Sequence, residues 1–224
     1  MNENHDAKTC IGCDGGPCRE LGAAPLPKHC PLKGRENLAI RAKELYLGDA
    51  ETKRMYVGAA LVEKRSYEKV RGRTMAIRPR IEELVDYART IGADRIGIAY
   101  CIGLANEASL ISGYLSKNGL DVQAVKCHCG HFDKCDLGVP KEGKIGDPEK
   151  FESACNPILQ AMLLNELKTG LNVIVGLCIG HDVLFTEHSK APVTTLVVKD
   201  RVTGHNPLAA VHSAYHRPFD QITL

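Results

Sequence analysis

Four short apolar segments in the second half of the chain have the composition of buried β-strands. They cover residues 95–100, 121–126, 172–177 and 193–198. Helical patterns separate the first three segments, with one apolar face at Leu104, Ala108, Ile111 and Leu115 and another at Leu159, Leu163 and Leu167. A shorter helical segment near 182–189 precedes the fourth strand. This alternation predicts a three-layer α/β sandwich with right-handed crossovers and a mainly parallel sheet of about four or more strands.

The region before the sheet, residues 36–92, has helical periodicity. The clearest stripe follows Pro79 and consists of Ile81, Leu84, Val85, Ala88 and Ile91. A similar stripe of Met55, Ala59 and Val62 precedes it. Between the two stripes, residues 64–80 carry seven Lys or Arg and one Glu. This basic segment is either a solvated face or loop, or a contact for an anion or a phosphate group.

Residues 1–35 are rich in Cys, Gly and Pro and show neither helical nor strand periodicity. Such a segment cannot bury a core of its own, so a bound ligand must organise it. We therefore predict a metal knuckle at 1–35 and an α/β domain at 36–224. Within that domain, 36–92 is a helical lead-in and 93–224 is the core with the parallel sheet.

The composition excludes several classes of protein. Charged residues make up 25% and hydrophobic residues 44% of the chain, which is typical of a globular protein. With 29 basic and 27 acidic residues, the net charge of +2 demands neither nucleic acid nor an anionic membrane as a partner. The polar start lacks the apolar core of a secretory signal, and no apolar run approaches the ~20 residues that span a bilayer. We therefore expect a cytoplasmic protein.

Ten cysteines in a cytoplasmic protein indicate metal binding, because thiols there are kept reduced and structural disulfides are rare. The first four, Cys10, Cys13, Cys18 and Cys30, follow the spacing C-x2-C-x4-C-x11-C. Two thiolates separated by two residues can coordinate one metal ion from a single tight turn. The spacing fits both Zn²⁺ and an iron–sulfur cluster.

A second group of cysteines lies where strands end. Cys101, Cys127 and Cys178 follow three predicted strands, and ligands of open parallel sheets bind at this carboxyl edge. Cys155 precedes Asn156-Pro157, an expected N-cap and first-turn proline of a helix at 157–168. The partial positive charge of a helix N-terminus stabilises thiolates. Four such thiolates could hold a [4Fe–4S] cluster, and three could do so while leaving one iron open.

Further polar residues lie near this edge. His181 and Asp182 follow Cys178 and are candidates for proton transfer or for helix capping. Candidate substrate contacts are Asn156, Lys199, His205 and Asn206. The string CHCGHFDKC adds His128, Cys129, His131 and Cys135, which are a second zinc site, a redox-active pair or part of a mobile loop over the main site. We leave this string outside the predicted ligand set. No nucleotide-binding motif is present.

Three strings support a resemblance to a family. The strings FESACNPILQAMLLNE, NVIVGLCIGHDVLF and KAPVTTLVVKDRVTGHNP resemble an uncharacterised family of prokaryotic metal-binding proteins, frequent in anaerobic bacteria and archaea. The resemblance covers nearly the whole chain. It implies that the family's motifs include Cys101, Cys127, Cys155, Cys178, His181, Asp182, His205 and Asn206. It also implies that positions 129 and 135 vary and that an anaerobic setting favours iron over zinc.

These observations favour an iron–sulfur protein with one or two [4Fe–4S] clusters and Zn²⁺ as the alternative at the N-terminal site. The cluster at the sheet edge would act on a small-molecule or sulfur-containing substrate, as in sulfur transfer or desulfidation. One alternative is a non-catalytic zinc-binding protein, metallochaperone or sensor. Another is an electron-transfer protein with a redox partner. We also predict that the chain can form a homodimer.

Overall fold

The computed structural model describes residues 8–13, 15–19 and 25–212, and the chain divides into two compact units between Ala60 and Leu61. Short 3-10 turns lie at Ile102–Leu104, Lys134–Leu137 and Lys141–Gly143. No described helix is both long and apolar enough to cross a membrane. In chain order the helices and strands are α1 (Gly16–Arg19), α2 (Asn37–Gly48), α3 (Ala50–Arg65), β1 (Tyr67–Val70), β2 (Arg73–Ala76), α4 (Arg80–Thr90), β3 (Arg95–Tyr100), α5 (Ala105–Lys117), β4 (Asp121–Lys126), α6 (Pro157–Glu166), β5 (Leu171–Val175), α7 (His181–His188), β6 (Val193–Val197) and α8 (Pro207–His212).

The first unit contains α1, α2 and most of α3. Asp49 separates the two longer helices and caps α3, because its carboxylate accepts a hydrogen bond of 2.7 Å from the Thr52 amide. The Tyr46 and Tyr56 rings pack with their centroids 4.6 Å apart and so join α2 to α3. Helix α2 buries none of its residues.

The second unit is built on a four-stranded sheet in the order β4-β3-β5-β6. Every pairing in it is parallel, and Ile98 in the middle of β3 is in register with Ala124 of β4 and Val173 of β5. The chain steps from β3 to β4 in one direction and from β4 through β5 to β6 in the other. Right-handed crossovers therefore place α5 on one face and both α6 and α7 on the opposite face. The predicted three-layer parallel architecture is confirmed.

The core of this unit lies between the sheet and its helices. All five residues of β5 are buried, as expected for a central parallel strand covered on both faces. Helix α4 contributes the buried residues Leu84, Val85 and Ala88 of the predicted stripe. Arg89 of this helix donates a hydrogen bond of 2.5 Å to the carbonyl of Asn118, which directly follows α5.

A β-hairpin occupies the basic segment for which the sequence predicted a solvated face or loop, or a contact for an anion or a phosphate group. Its strands β1 and β2 are antiparallel and all their residues are exposed. Arg71 and Gly72 form the turn with φ of 50° and 77°, the left-handed pair that matches the twist of a two-residue hairpin. The helical interpretation of 36–92 was wrong at this point, because the turn chemistry of Arg-Gly outweighed the surrounding helical periodicity.

Candidate metal centre

The candidate centre lies where the crossovers of the sheet diverge. The connection after β3 leads to the β4 side, and the connection after β5 leads to the β6 side. The two loops therefore diverge at the carboxyl edge, the usual ligand position in open α/β sheets. Cys101 directly follows β3, Cys127 directly follows β4, and Cys178 lies three residues after β5. The sequence prediction for their common edge agrees with this topology.

A left-handed glycine, Gly176, directly follows β5. Gly176 has φ of 67°, and a Cβ at this position would come within 2.7 Å of the Leu104 side chain. The strand consequently ends at Val175, two residues earlier than the apolar pattern predicted. The close approach of Leu104 and the turn at Gly176 together require a residue without a side chain here.

Cys127 and Cys155 form the most closely paired part of the centre. Cys127 is almost fully buried, and its Sγ accepts a hydrogen bond of 3.3 Å from the Ile102 amide. Its hydrogen bond with Cys155, reinforced by burial, raises the pKa of the Cys127 thiol far above its usual range. The same hydrogen bond lowers the pKa of Cys155. Cys155 is therefore the thiol of this pair that ionises more readily.

The other two thiols also act on Cys155. Negative charge on Cys178 and on Cys101 raises the pKa of Cys155, whereas the Lys199 ammonium lowers it. Four cysteines from four separate segments therefore lie at one edge of the sheet, although among the described residues neither Cys101 nor Cys178 belongs to a group of three ligand atoms within 4.8 Å of one another. The sequence predicted these four as ligands.

Two cations from the loop after β6 contact the thiols. The Lys199 ammonium contacts Cys101 Sγ, and an Arg201 guanidinium nitrogen lies 3.0 Å from Cys178 Sγ. Within the described ranges, neither cation forms a salt bridge with a carboxylate. The intervening Asp200 carboxylate instead accepts from the Val202 amide at 2.9 Å, and its bonds to the following turn lower its pKa. The positive charge of both cations is thus directed at sulfur.

A compact donor group combines Cys127, Cys155 and His128. Their ligand atoms all lie within 4.8 Å of one another, which makes this a group of residues that can hold a metal ion. His128 stood outside the predicted ligand set. Its position beside Cys127 in the string CHCGHFDKC was the available signal, but sequence adjacency does not tell which of two neighbouring side chains turns toward a site.

The remaining predicted residues of the edge have varied surroundings. Asn156 caps α6, since its side-chain oxygen accepts 2.9 Å from the Leu159 amide. The amides of His181 and Asp182 donate to the Cys178 carbonyl at 2.9 and 3.2 Å, which holds the start of α7 against the centre. His205 has φ of 68° and accepts a bond of 3.2 Å at Nδ1 from the Asp200 amide. Asn206 directly precedes α8, and its carbonyl accepts 2.9 Å from the Ala209 amide.

The Asp133 carboxylate holds the loop between Cys127 and Cys155 together through several hydrogen bonds. The Asp133 carboxylate accepts three hydrogen bonds, of 2.8 Å from the Cys135 amide, 2.7 Å from the Glu152 amide and 3.0 Å from the Lys144 ammonium. These bonds hold the pKa of Asp133 far below its usual range and raise that of Lys144. Cys129 lies nearer the centre, with its Sγ 3.7 Å from the Asn156 carbonyl. Burial, and secondarily the charge of Cys127, raises the pKa of Cys129.

Gln160 is a further residue of the site that sequence reasoning missed. Gln160 is fully buried in α6. Its Nε2 group donates hydrogen bonds of 2.7 Å to the Val125 carbonyl and 3.3 Å to the Tyr100 carbonyl. These carbonyls lie near the ends of β4 and β3, two residues before Cys127 and one residue before Cys101. One carboxamide on the helix that follows Cys155 therefore joins three of the cysteine-bearing segments. A glutamine within the apolar string PILQAMLLNE was the only signal in the sequence.

The N-terminal cysteines lie in the first unit and are less closely gathered. Cys30 is buried, Cys13 is half-buried, and Cys10 and Cys18 are exposed. Within the described residues, no three of their sulfurs lie within 4.8 Å of one another.

Comparison with known proteins identifies the family. Residues 30–196 match the sequence profile of a family described as "Protein of unknown function (DUF1847)". The chain belongs to this family. It is also 49% identical to an uncharacterized protein of Methanocaldococcus jannaschii over 137 residues, which are 61% of this chain and 68% of the relative. The resemblance to an uncharacterised prokaryotic family is thereby confirmed.

The position of the match divides the cysteines into two sets. The DUF1847 match contains Cys30 and all four cysteines of the sheet edge. Cys10, Cys13 and Cys18 precede it, whereas Lys199 and Arg201 follow it. The thiols of the candidate centre thus belong to the DUF1847 domain itself.

Proposed function

We propose that this protein binds an iron–sulfur centre at the carboxyl edge of its sheet through Cys101, Cys127, Cys155 and Cys178, and that the centre serves small-molecule chemistry. The observation that carries the proposal is the compact group of Cys127, His128 and Cys155, with Cys101 and Cys178 on the loops that follow two further strands at the same edge. Thiolates are the ligands that iron–sulfur clusters require.

The number of donors favours a cluster over one ion. A single tetrahedral ion takes four ligands, whereas the loops at this edge carry four cysteines and His128, of which Cys127, His128 and Cys155 have their ligand atoms within 4.8 Å of one another. Four thiolates would also concentrate negative charge, which Lys199 and Arg201 offset through their contacts with Cys101 and Cys178. Compensating cations beside a cluster are one of the means by which proteins set its reduction potential.

The residues around the centre have roles that follow from their positions. If three of these thiolates held the cluster and the fourth only lined the site, the open iron would supply Lewis acidity toward a substrate oxygen or sulfur atom. Lys199 and Arg201 would attract an anionic group of the substrate to the same edge. His181 and Asp182 begin α7 just after Cys178 and would carry protons there. Asn156 Oδ1 and His205 Nδ1 accept hydrogen bonds from backbone amides of the protein. The Asn156 Nδ2 group, the His205 Nε2 atom and the Asn206 side chain would orient the substrate.

A single zinc ion is the second candidate, because the trio of Cys127, His128 and Cys155 is compact. Thiolates around one Zn²⁺ lie about 3.8 Å apart if each Zn–S bond is about 2.3 Å, and the ligand atoms of the trio lie within 4.8 Å. In that case the Cys101–Lys199 and Cys178–Arg201 contacts would be neutral ion pairs beside the zinc. The protein would then be a zinc-binding protein, metallochaperone or sensor.

Metal and sulfide analysis of protein purified without oxygen tests the two candidates. We expect iron, acid-labile sulfide and broad absorption near about 400 nm that a reductant bleaches. Cys155→Ser should lose this absorption, whereas Cys135→Ser, which alters an exposed cysteine, should retain it. His128→Ala separates the candidates, since it should spare a cluster but release a zinc ion. Colourless protein with stoichiometric zinc, lost in His128→Ala, would refute the iron–sulfur proposal.

A further inference from the structure

We infer that the first unit contains a separate Zn²⁺ site, with the thiolates of Cys10, Cys13, Cys18 and Cys30 as its ligands. This site is independent of the centre at the sheet edge. Three of its four cysteines precede the part of the chain that matches the DUF1847 family. Its role would be to organise the N-terminal segment.

The backbone brings the two cysteine-bearing parts of the segment together. The Thr9 amide donates 3.1 Å to the His29 carbonyl, so the residues directly before Cys10 and Cys30 are hydrogen-bonded to each other. The Lys8 ammonium adds a bond of 3.0 Å to the Lys28 carbonyl. Cysteines separated by a loop in sequence are therefore neighbours in the fold.

The turn around Cys13 has the form of a metal knuckle. The Cys13 amide donates 3.1 Å to the Cys10 carbonyl, and Gly12 within this turn has φ of 80°. The Gly15 amide lies 3.4 Å from Cys13 Sγ, so a backbone donor already faces the sulfur. Such a bond stabilises a thiolate, and left-handed glycines let the chain fold closely around an ion.

The second pair of cysteines also lies on turns. The Cys18 amide donates 3.0 Å to the Gly15 carbonyl at the start of α1. The Cys30 carbonyl accepts 3.2 Å from the Lys33 amide, and Cys30 is the only buried residue that the structure describes within 8–35. Ile11, by contrast, is 88% exposed. A segment with this little apolar burial gains its order from a ligand.

Zinc suits the site better than a cluster for two reasons. Four cysteines that include a C-x2-C pair satisfy the closed tetrahedral coordination of a structural zinc. Cys10 and Cys18 are exposed, which would leave an iron–sulfur cluster open to solvent and oxidation. The four sulfurs are not yet gathered to tetrahedral spacing, so ion binding would draw them together and release the thiol protons.

Zinc content of the full-length chain tests the inference. We expect one zinc per chain in the unaltered protein, retained in Cys155→Ser and Cys135→Ser and lost in Cys13→Ser and Cys18→Ser. Cys155→Ser removes the sheet-edge centre, so its zinc content separates failure of this inference from failure of the proposed function. The inference is overturned if Cys13→Ser keeps its zinc, or if the metal lost from this variant is iron accompanied by sulfide.

Limited proteolysis provides a measurement that does not depend on the stability of a variant. Lys28 and Lys33 flank Cys30, and Lys8 precedes Cys10. Trypsin should cut at these lysines slowly in the zinc-loaded protein and at least tenfold faster after a chelator removes the ion, with re-protection when Zn²⁺ is restored. Equal cleavage with and without zinc would contradict a metal-organised segment.

Discussion

Replacement of Gln160 by leucine tests whether one buried carboxamide holds the cysteine-bearing strand ends together. The Nε2 group donates to the Val125 carbonyl at 2.7 Å and the Tyr100 carbonyl at 3.3 Å. Leucine has a similar volume and fits the apolar surroundings of α6, but it cannot donate. Both carbonyls would lose this partner, two residues before Cys127 and one residue before Cys101.

The expected loss of stability follows from these bonds. Each buried acceptor left without its partner costs about 1–3 kcal/mol, and the 2.7 Å bond should dominate. Among the described residues the Gln160 Oε1 atom has no hydrogen-bond partner, so its removal offsets part of that cost. We expect a net destabilisation of about 2 kcal/mol, which corresponds to a fall in Tm of about 4–8 °C for a domain of this size.

The assay combines thermal unfolding of metal-free protein with metal analysis of protein loaded in parallel. Gln160→Leu should unfold at lower temperature and also retain less metal, because its strand ends no longer hold Cys101 and Cys127 in place. Gln123→Leu is the matched control, since this half-buried carboxamide donates to the Asp121 carboxylate away from the centre. Its effect should be within about 0.5 kcal/mol. A Gln160→Leu protein with unchanged Tm and full metal content would refute the reasoning.

Three further substitutions test neighbouring parts of the structure. Asn156→Ala removes the cap of α6 and should lower the free energy of unfolding by about 1 kcal/mol in denaturant titrations; an unchanged midpoint would contradict the capping role. Gly176→Ala forces a Cβ against Leu104 at a left-handed position, so we expect a loss above about 1 kcal/mol and reduced metal content; a stable, fully loaded variant would contradict the close approach. The pKa of Asp133 is lowered by its bonds, so its contribution is present above the unfolded pKa of about 3.9 and is lost as the pH falls further. Asp133→Asn should therefore lose stability at pH 7 and show a shallower decline in acid; parallel acid-unfolding curves for both proteins would oppose this assignment.

The apolar pattern was sufficient to predict the elements of the second unit. Strands β3 and β4 have the predicted bounds, and β5 and β6 differ from them by one or two residues. Buried parallel strands are recognisable because both of their faces are apolar. Once the strands are parallel, residues that follow them lie on one edge, so the placement of Cys101, Cys127 and Cys178 followed as well. The capping role of Asn156 was likewise local, since an N-cap and a first-turn proline are adjacent in sequence.

The hairpin shows where periodicity alone misleads. Its strands are short and wholly exposed, so they carry no apolar alternation. The deciding signal was the Arg71-Gly72 turn, which the surrounding helical stripes obscured.

The sequence by itself determined the class of fold, the edge at which the cysteines lie and the family to which the chain is related, because each depends on local patterns or on the identities of neighbouring residues. The tertiary structure decided which side chains meet at that edge. Lys199 reaches Cys101 across 98 positions of the chain, and Gln160 joins the ends of two strands that are 26 positions apart. Such contacts depend on the order β4-β3-β5-β6 and on side-chain direction, and neither is encoded in the spacing of residues along the chain.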